Sequence, residues 1–173
     1  MTIHGSLLDV YGVGTVLLGP SGIGKSECAL ELLSRGHRLV ADDVLELEAV
    51  GTGRILGKAP ECIRHFMEIR GVGLVSIVDL FGPDAVRDEM PIDLICRLVK
   101  WQPGVEYERV GLERPTEEIG GVRVPSLTLP ARPGGSMAIV VEVAVRDHRR
   151  RCEGMVAARR LDERLRREMG GRE

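Results

Sequence analysis

Residues Gly19 to Ser26 read GPSGIGKS, a full match to G-x-x-x-x-G-K-[ST]. In such a loop, backbone N–H groups cradle phosphate oxygens, and glycine is needed wherever a Cβ would obstruct that approach. Gly19, Pro20, Ser21, Gly22, Ile23, Gly24, Lys25 and Ser26 are therefore the candidate phosphate-binding residues. Lys25 has the reach for β- and γ-phosphates, and the Ser26 hydroxyl is a Mg2+ ligand type. A helix beginning just beyond Gly24 would aim its positive end at the same anion. Two carboxylates follow in RLVADD, at Asp42 and Asp43. At the end of a strand their side chains point in opposite directions. One can hold Mg2+ or its water, and the other can accept a proton from an attacking hydroxyl. A third group, Glu68 and Arg70 in MEIRGVG, offers a further metal-binding carboxylate and a guanidinium for charge stabilisation.

These residues need elements to hold them. Ile3–Val10 reads as one strand ending in a Tyr11-Gly12 turn, and Gly14–Leu18 as a buried strand feeding the Gly-rich loop. A helix is expected over Lys25–Arg35, stopped by Gly36. Strands follow at Arg38–Ala41, Val44–Leu47 and Arg54–Leu56, with a short helix after Pro60. Gly71–Val78 reads as extended, and the alternation in Ile92–Trp101 suggests a strand with one wet face. Gly120–Leu129 reads as two short edge strands around Pro125. The run from Ser136 mixes β-branched residues with a capping serine, and its length favours a helix. A last helix is expected over Val156–Met169.

The 173 residues suit one domain, 1–173, ending in a basic helical segment, 146–173. That segment carries ten Arg against six acids, a net +4, while the whole chain is −2. Glu163 is spaced to meet Arg159, Arg160, Arg166 and Arg167. The segment reads either as a solvated helix face or as a docking surface for an acidic partner or another subunit, with Arg150 and Arg151 as its test residues. The near-neutral balance and pI of about 6.1 argue against a nucleic-acid binder. Aromatics at 3% leave few stacking platforms for a single strand. No apolar run approaches the ~20 residues of a membrane span, and no secretory signal is visible, so a cytoplasmic protein is expected. Cys28, Cys62, Cys96 and Cys152 lack metal-site spacing and read as reduced thiols.

Six segments, IHG, GPSGIGKSE, GHRLVADD, EIRGVG, YERVGLE and PARPGG, occur in the order and spacing of the HPr kinase/phosphorylase catalytic domain. The resemblance runs from His4 to Val145. It implies an α/β fold, a P-loop kinase core with a mixed sheet, similar to phosphoenolpyruvate carboxykinase. It also implies ATP or pyrophosphate as phosphoryl donor, Mg2+ as metal, a serine of the phosphocarrier protein HPr as acceptor, and reversal by phosphorolysis. Family members resemble hexamers in which one subunit's PxRPG loop reaches a neighbour's site. Carried over by residue, Ser26 and Glu68 would bind Mg2+, Lys25 the phosphates, and Asp43 would be the base in the forward direction and an acid in reverse. His4 and Arg109 match the family's active-site histidine and catalytic arginine. The residues alone leave Asp42 and Asp43 interchangeable, and the resemblance selects Asp43. Pro20 stands where family loops usually carry an acid, and Gly135 where they carry a basic residue linked to dephosphorylation. Two other functions fit the same loop: an ATP-binding regulatory module without transfer, and a kinase for a small hydroxyl-bearing metabolite.

Overall fold

The computed structural model describes residues 1–51 and 53–170. Its centre is a six-stranded mixed sheet, built from β2 (Ser6–Val10), β3 (Val13–Leu18), β4 (Arg38–Ala41), β10 (Leu94–Lys100), β11 (Thr116–Ile119) and β12 (Val122–Ala131), in the order β11-β12-β10-β3-β2-β4. β3, β10 and β12 are mutually parallel, while β2 runs antiparallel to both β3 and β4. The carboxyl ends of β3, β4, β10 and β12 therefore face the same way. A smaller antiparallel sheet joins β1 (Thr2–His4), β5 (Val44–Val50), β6 (Arg54–Lys58) and β9 (Glu89–Pro91). A hairpin of β7 (Phe66–Ile69) and β8 (Gly73–Ser76) stands apart.

The central strands are covered on both faces, so their side chains sort with period two into two cores. Leu8, Val10, Leu17, Leu94, Cys96 and Leu98 face the helices, among them Ala29, Leu32 and Leu33 of α1 (Lys25–Ser34) and Val141 and Val145 of α3 (Met137–Cys152). Leu7, Val16, Val40 and Ile95 face the small sheet, against Leu45, Leu47, Ile55 and Ile92. Desolvation in the first core pushes the Cys28 and Cys96 thiols up to about 12. All four cysteines are free, with Cys62 and Cys152 at the surface.

Several sequence expectations change here. The expected strand Ile3–Val10 is two strands, because the chain crosses from the small sheet to the large one at Gly5. Ile92–Trp101 has no wet face over most of its length: the small sheet covers Ile95, and Arg97 is exposed only to pair with Glu117. The extended reading of Gly71–Val78 is replaced by a hairpin turn, β8, and the helix α2 (Ile77–Phe81), whose Ser76 cap accepts from Asp79 N–H at 3.3 Å. β12 runs unbroken through Pro125, since its parallel register with β10 begins only at Ser126. The run after Ser136 is the helix α3. Its small and apolar residues Ala138, Val141, Ala144 and Val145 recur at helical spacing on the buried face, while Ile139, Val140 and Val143 point outward. In α4 (Ala157–Gly170), Arg166 pairs with Asp162 at 2.9 Å rather than with Glu163. The last three residues of the basic segment lie outside the described residues.

Candidate active site

The loop after β3 occupies the carboxyl end of the sheet, and its backbone is set by glycines. Gly19 has φ 146°, and a Cβ there would lie 2.5 Å from the Leu98 carbonyl oxygen of the neighbouring strand. Gly24 takes φ 102° as the residue before α1, which turns the chain sharply into the helix. Lys25 folds back across the loop, its Nζ donating to the carbonyls of Gly19 at 2.9 Å and Pro20 at 3.0 Å.

Asp42 and Asp43 form the link between β4 of the large sheet and β5 of the small one, and this divides their fates. Asp42 is buried. Its two oxygens accept from Ser6 Oγ at 2.5 Å and Ser26 Oγ at 3.0 Å, joining β2, the phosphate loop and the β4 end in one knot. Desolvation holds the Asp42 carboxyl above its ordinary pKa, opposed by the two serine hydrogen bonds. Asp43 instead takes the left-handed region, φ 65°, which Asp tolerates better than most residues. That turn sends its carboxylate out to solvent, 80% exposed. His4 lies beside it, Nδ1 3.6 Å from the Asp43 carboxylate and 3.2 Å from its carbonyl oxygen.

The β7–β8 hairpin closes the other side. A cleft of about 230 Å³ is lined by the phosphate loop, Asp42, Asp43, Glu68 and Arg70. Lys25, Ser26, Asp43 and Glu68 are thus brought together as the sequence suggests, with His4 at the rim. Arg70 joins them, reaching within 3.8 Å of where a Gly22 Cβ would stand. Hydroxyl and carboxylate oxygens of Ser26, Asp42 and Glu68 make a hard donor set of the kind Mg2+ takes. Arg109 is elsewhere. It lies on the segment 101–115 and lines a second, larger cavity with Trp101, Tyr107, Pro130 and Arg132. Ser6 carries no motif, and only its hydrogen bond to Asp42 reveals it. The basic residues also divide. Arg150 is exposed and pairs with Glu153 at 2.9 Å, but Arg151 is largely buried against Asp147 at 2.6 Å and the Gly111 carbonyl. Arg151 is therefore a clamp on the 101–115 segment and is not free to meet a partner.

A phosphate loop on a mixed sheet, with a buried carboxylate bonded to its terminal serine, defines a P-loop α/β protein. Comparison with known proteins narrows this. The sequence profile described as the HPr Serine kinase C-terminal domain matches residues 1–165, and the chain belongs to that family. It is 51% identical over 170 residues to the HPr kinase/phosphorylase of Caldanaerobacter subterraneus subsp. tengcongensis, covering 98% of this chain and 56% of that protein. It is 48% identical to the HPr kinase/phosphorylase of Brevibacillus brevis, over 91% of this chain and 50% of the relative. The chain thus spans about half the length of the curated relatives it matches. The fold superposes on the Hpr(Ser) kinase/phosphatase of Coxiella burnetii with a TM-score of 0.81 at 34% identity, covering 89% of this chain and 93% of the other.

Proposed function

We propose that this chain transfers the terminal phosphoryl group of ATP, or of pyrophosphate, to a serine of the phosphocarrier protein HPr. The serine Oγ attacks the terminal phosphorus, the bond to the bridging oxygen breaks, and the nucleoside diphosphate or phosphate departs. The serine proton passes to Asp43, whose exposed carboxylate can meet a protein substrate. Asp42, buried and already bonded to two hydroxyls, is poorly placed for that task and suits metal holding. Gly19–Ser26 hold the phosphates, with Lys25 swinging from its loop carbonyls to their charge. Ser26, Glu68 and Asp42 would hold Mg2+, which neutralises charge on the donor phosphates when bound. His4 sits where it can orient Asp43. Arg109 acts as the catalytic arginine only if the 101–115 segment swings toward the phosphate loop. In reverse, inorganic phosphate attacks the phosphoserine, pyrophosphate forms, and Asp43 returns its proton to the serine oxygen. Gly135, in place of the family's basic residue, makes this the slower direction.

The observation that carries the reading is the split of the Asp pair, one inward on Ser26 and one outward beside His4, within the phosphate-loop cleft. A cytoplasmic setting and a hexameric assembly accompany the proposal. Among the described residues no helix is long and apolar enough to cross a membrane. The test is transfer of labelled γ-phosphate from ATP to purified HPr with Mg2+, by the intact chain and by Asp43→Asn. Transfer that disappears in the variant supports both kinase and base. ATP binding without transfer by the intact chain assigns a regulatory module instead, and a labelled small molecule with unlabelled HPr assigns a metabolite kinase.

A further inference from the structure

Lys25 and Ser26 open α1 in the phosphate cleft, while Glu31 and Arg35 of the same helix lie outside it, as does His37 of the GHRLVADD segment. These three residues meet α3 instead. Ser136, the N-cap of α3, donates from Oγ to Glu31 Oε1 at 2.7 Å and accepts from the Ile139 N–H at 3.4 Å. A hydroxyl has one proton and two lone pairs, so both bonds form together. Arg35, one turn beyond Glu31, donates Nη2 to the same Oε1 at 3.0 Å and Nη1 to Glu142 of α3 at 3.2 Å. His37 Nε2 lies 2.8 Å from Glu142, and the Tyr11 hydroxyl donates to that carboxylate at 3.3 Å. The Ser136 and Arg35 hydrogen bonds hold the Glu31 carboxyl below its ordinary range. A polar chain thus zips α1 to α3, anchored at the buried His37 and ending at Ser136.

The end at Ser136 matters for the cleft. β3 and β12 run parallel to β10, so α1 and α3 both start at the carboxyl end of the sheet. Glu31 stands roughly 9 Å along the helix axis from Lys25. Its bond to Ser136 therefore sets how far α3 stands back from the phosphate loop. The segment 132–135, Arg-Pro-Gly-Gly, fills the interval between β12 and Ser136. It is closed by Gly135 N–H donating to the Arg132 carbonyl at 3.2 Å, with Gly134 at φ 76°. Two glycines give such a segment little stiffness of its own, so its place depends on its ends. It flanks the phosphate loop on the β12 side, away from β4 and Asp43. In-line transfer puts the leaving group on the far side of the moving phosphoryl from the attacking serine, which is this side.

We propose that Glu31 is a positioning residue: through Ser136 it holds the start of α3, and with it the segment 132–135, in register with the phosphate loop. The consequence for rate rests on the phosphoryl-transfer reading above. ATP is held along its whole length, whereas inorganic phosphate attacking a phosphoserine has only the walls around it. A loosened segment therefore slows phosphorolysis more than it slows transfer from ATP.

The experiment follows amide hydrogen exchange over residues 132–139 of the whole chain, and initial rates in both directions, for the parent, Glu31→Ala, Ser136→Asp and Ser136→Asn. Alanine is the best helix former, so Glu31→Ala removes the carboxylate and keeps α1. It is expected to speed exchange about tenfold, the equivalent of one charge-assisted hydrogen bond. Phosphorolysis should fall about tenfold, and transfer from ATP by less than about threefold. Ser136→Asp keeps a capping oxygen but sets a like charge against Glu31, and should match Glu31→Ala. Ser136→Asn keeps both the cap and a donor for Glu31, and should restore the parent values. Unchanged exchange in Glu31→Ala overturns the proposal. So does parent-like behaviour of Ser136→Asp, which assigns Ser136 to capping alone, and so does an equal loss in both directions, the mark of general destabilisation. If the parent transfers no phosphate to HPr, exchange decides alone: acceleration in Glu31→Ala and Ser136→Asp, reversed in Ser136→Asn, keeps Glu31 in its role and removes only the kinase reading.

Discussion

The two cavities at the carboxyl end of the central sheet are built by different physics. Around the phosphate loop, position is set by backbone turns and by a buried hydrogen-bonded carboxylate that joins β2, β4 and the loop. Around Trp101, the segment 101–115 has no regular structure and is held by Tyr107, Glu108 and a set of ion pairs. Arg114 and Arg151 both reach Asp147 of α3, at 2.5 and 2.6 Å, and Arg151 also donates to the Gly111 carbonyl. The first is a rigid cradle with little to adjust. The second is a wall clamped from outside, whose position depends on side chains remote from any ligand.

That contrast can be broken or sharpened by substitution. The largest effect is expected at the cradle: Asp43→Asn keeps the left-handed turn that Asn also tolerates, so it removes the proposed base alone. Transfer to HPr should fall about 10²- to 10⁴-fold with ATP affinity unchanged, read by initial rates and calorimetry; comparable loss of ATP binding would mean Asp43 holds the donor instead. Next comes the clamp. Arg151→Glu leaves Asp147 facing a like charge and should lower stability by about 1.5–3 kcal/mol, followed by chemical denaturation. Arg150→Glu, on the exposed side of the same helix, should stay within about 0.5 kcal/mol. Equal effects would erase the distinction between clamp and surface. Charge reversal at Arg150, but not at Arg151, remains a clean test of HPr docking.

Smaller again is Ser6→Ala, which removes one of the two side-chain hydroxyl bonds to Asp42. It should raise the Mg2+ concentration needed for half-maximal transfer roughly tenfold, in line with about 1.5 kcal/mol, the lower end for a hydrogen bond to a charged group, while saturating Mg2+ restores most of the rate. A rate loss that excess Mg2+ does not rescue would point to misplacement of Ser26 itself. The smallest effect is a pH signature. Burial raises the Asp42 pKa, so the folded protein holds that proton more tightly than the unfolded chain does. Asp42 therefore contributes stability below the ordinary carboxylate range, and that contribution is lost as pH rises through its raised value. The melting temperature of Asp42→Asn relative to the parent should accordingly climb as pH rises above the ordinary carboxylate range of about 4. A flat difference would mean that water reaches the carboxylate.

Much of the cradle was legible because its chemistry is local. Glycines at fixed offsets, a lysine, a serine and a carboxylate pair declare themselves in consecutive residues. What was illegible depended on contacts distant in sequence. Ser6 looks like any polar residue in a strand until β2 comes to lie beside β4. Arg70 is picked out by its spacing from Glu68, but only the β7–β8 turn, which folds it over Gly22, shows where it acts. Arg151 looks equivalent to Arg150, since sequence alone does not say which side of α3 receives the 101–115 segment. The hairpin and α2 were missed for a local reason: GVGLVSIV has strand composition throughout, and only the Ser76 cap ends β8 and starts a five-residue helix.

The link at Asp42-Asp43 also bears on how such a chain can change over generations. These two residues are the whole link from β4 to β5, and β5 begins directly after them with His4 opposite Val44 and Ile3 opposite Leu45. One inserted residue would shift that register by one and turn Leu45 and Leu47 from the core toward solvent. Length variation at this point would therefore be lost as a folding failure before any loss of catalysis was felt. The spacing between the two carboxylates is protected by the hydrophobic core, whatever reaction they serve.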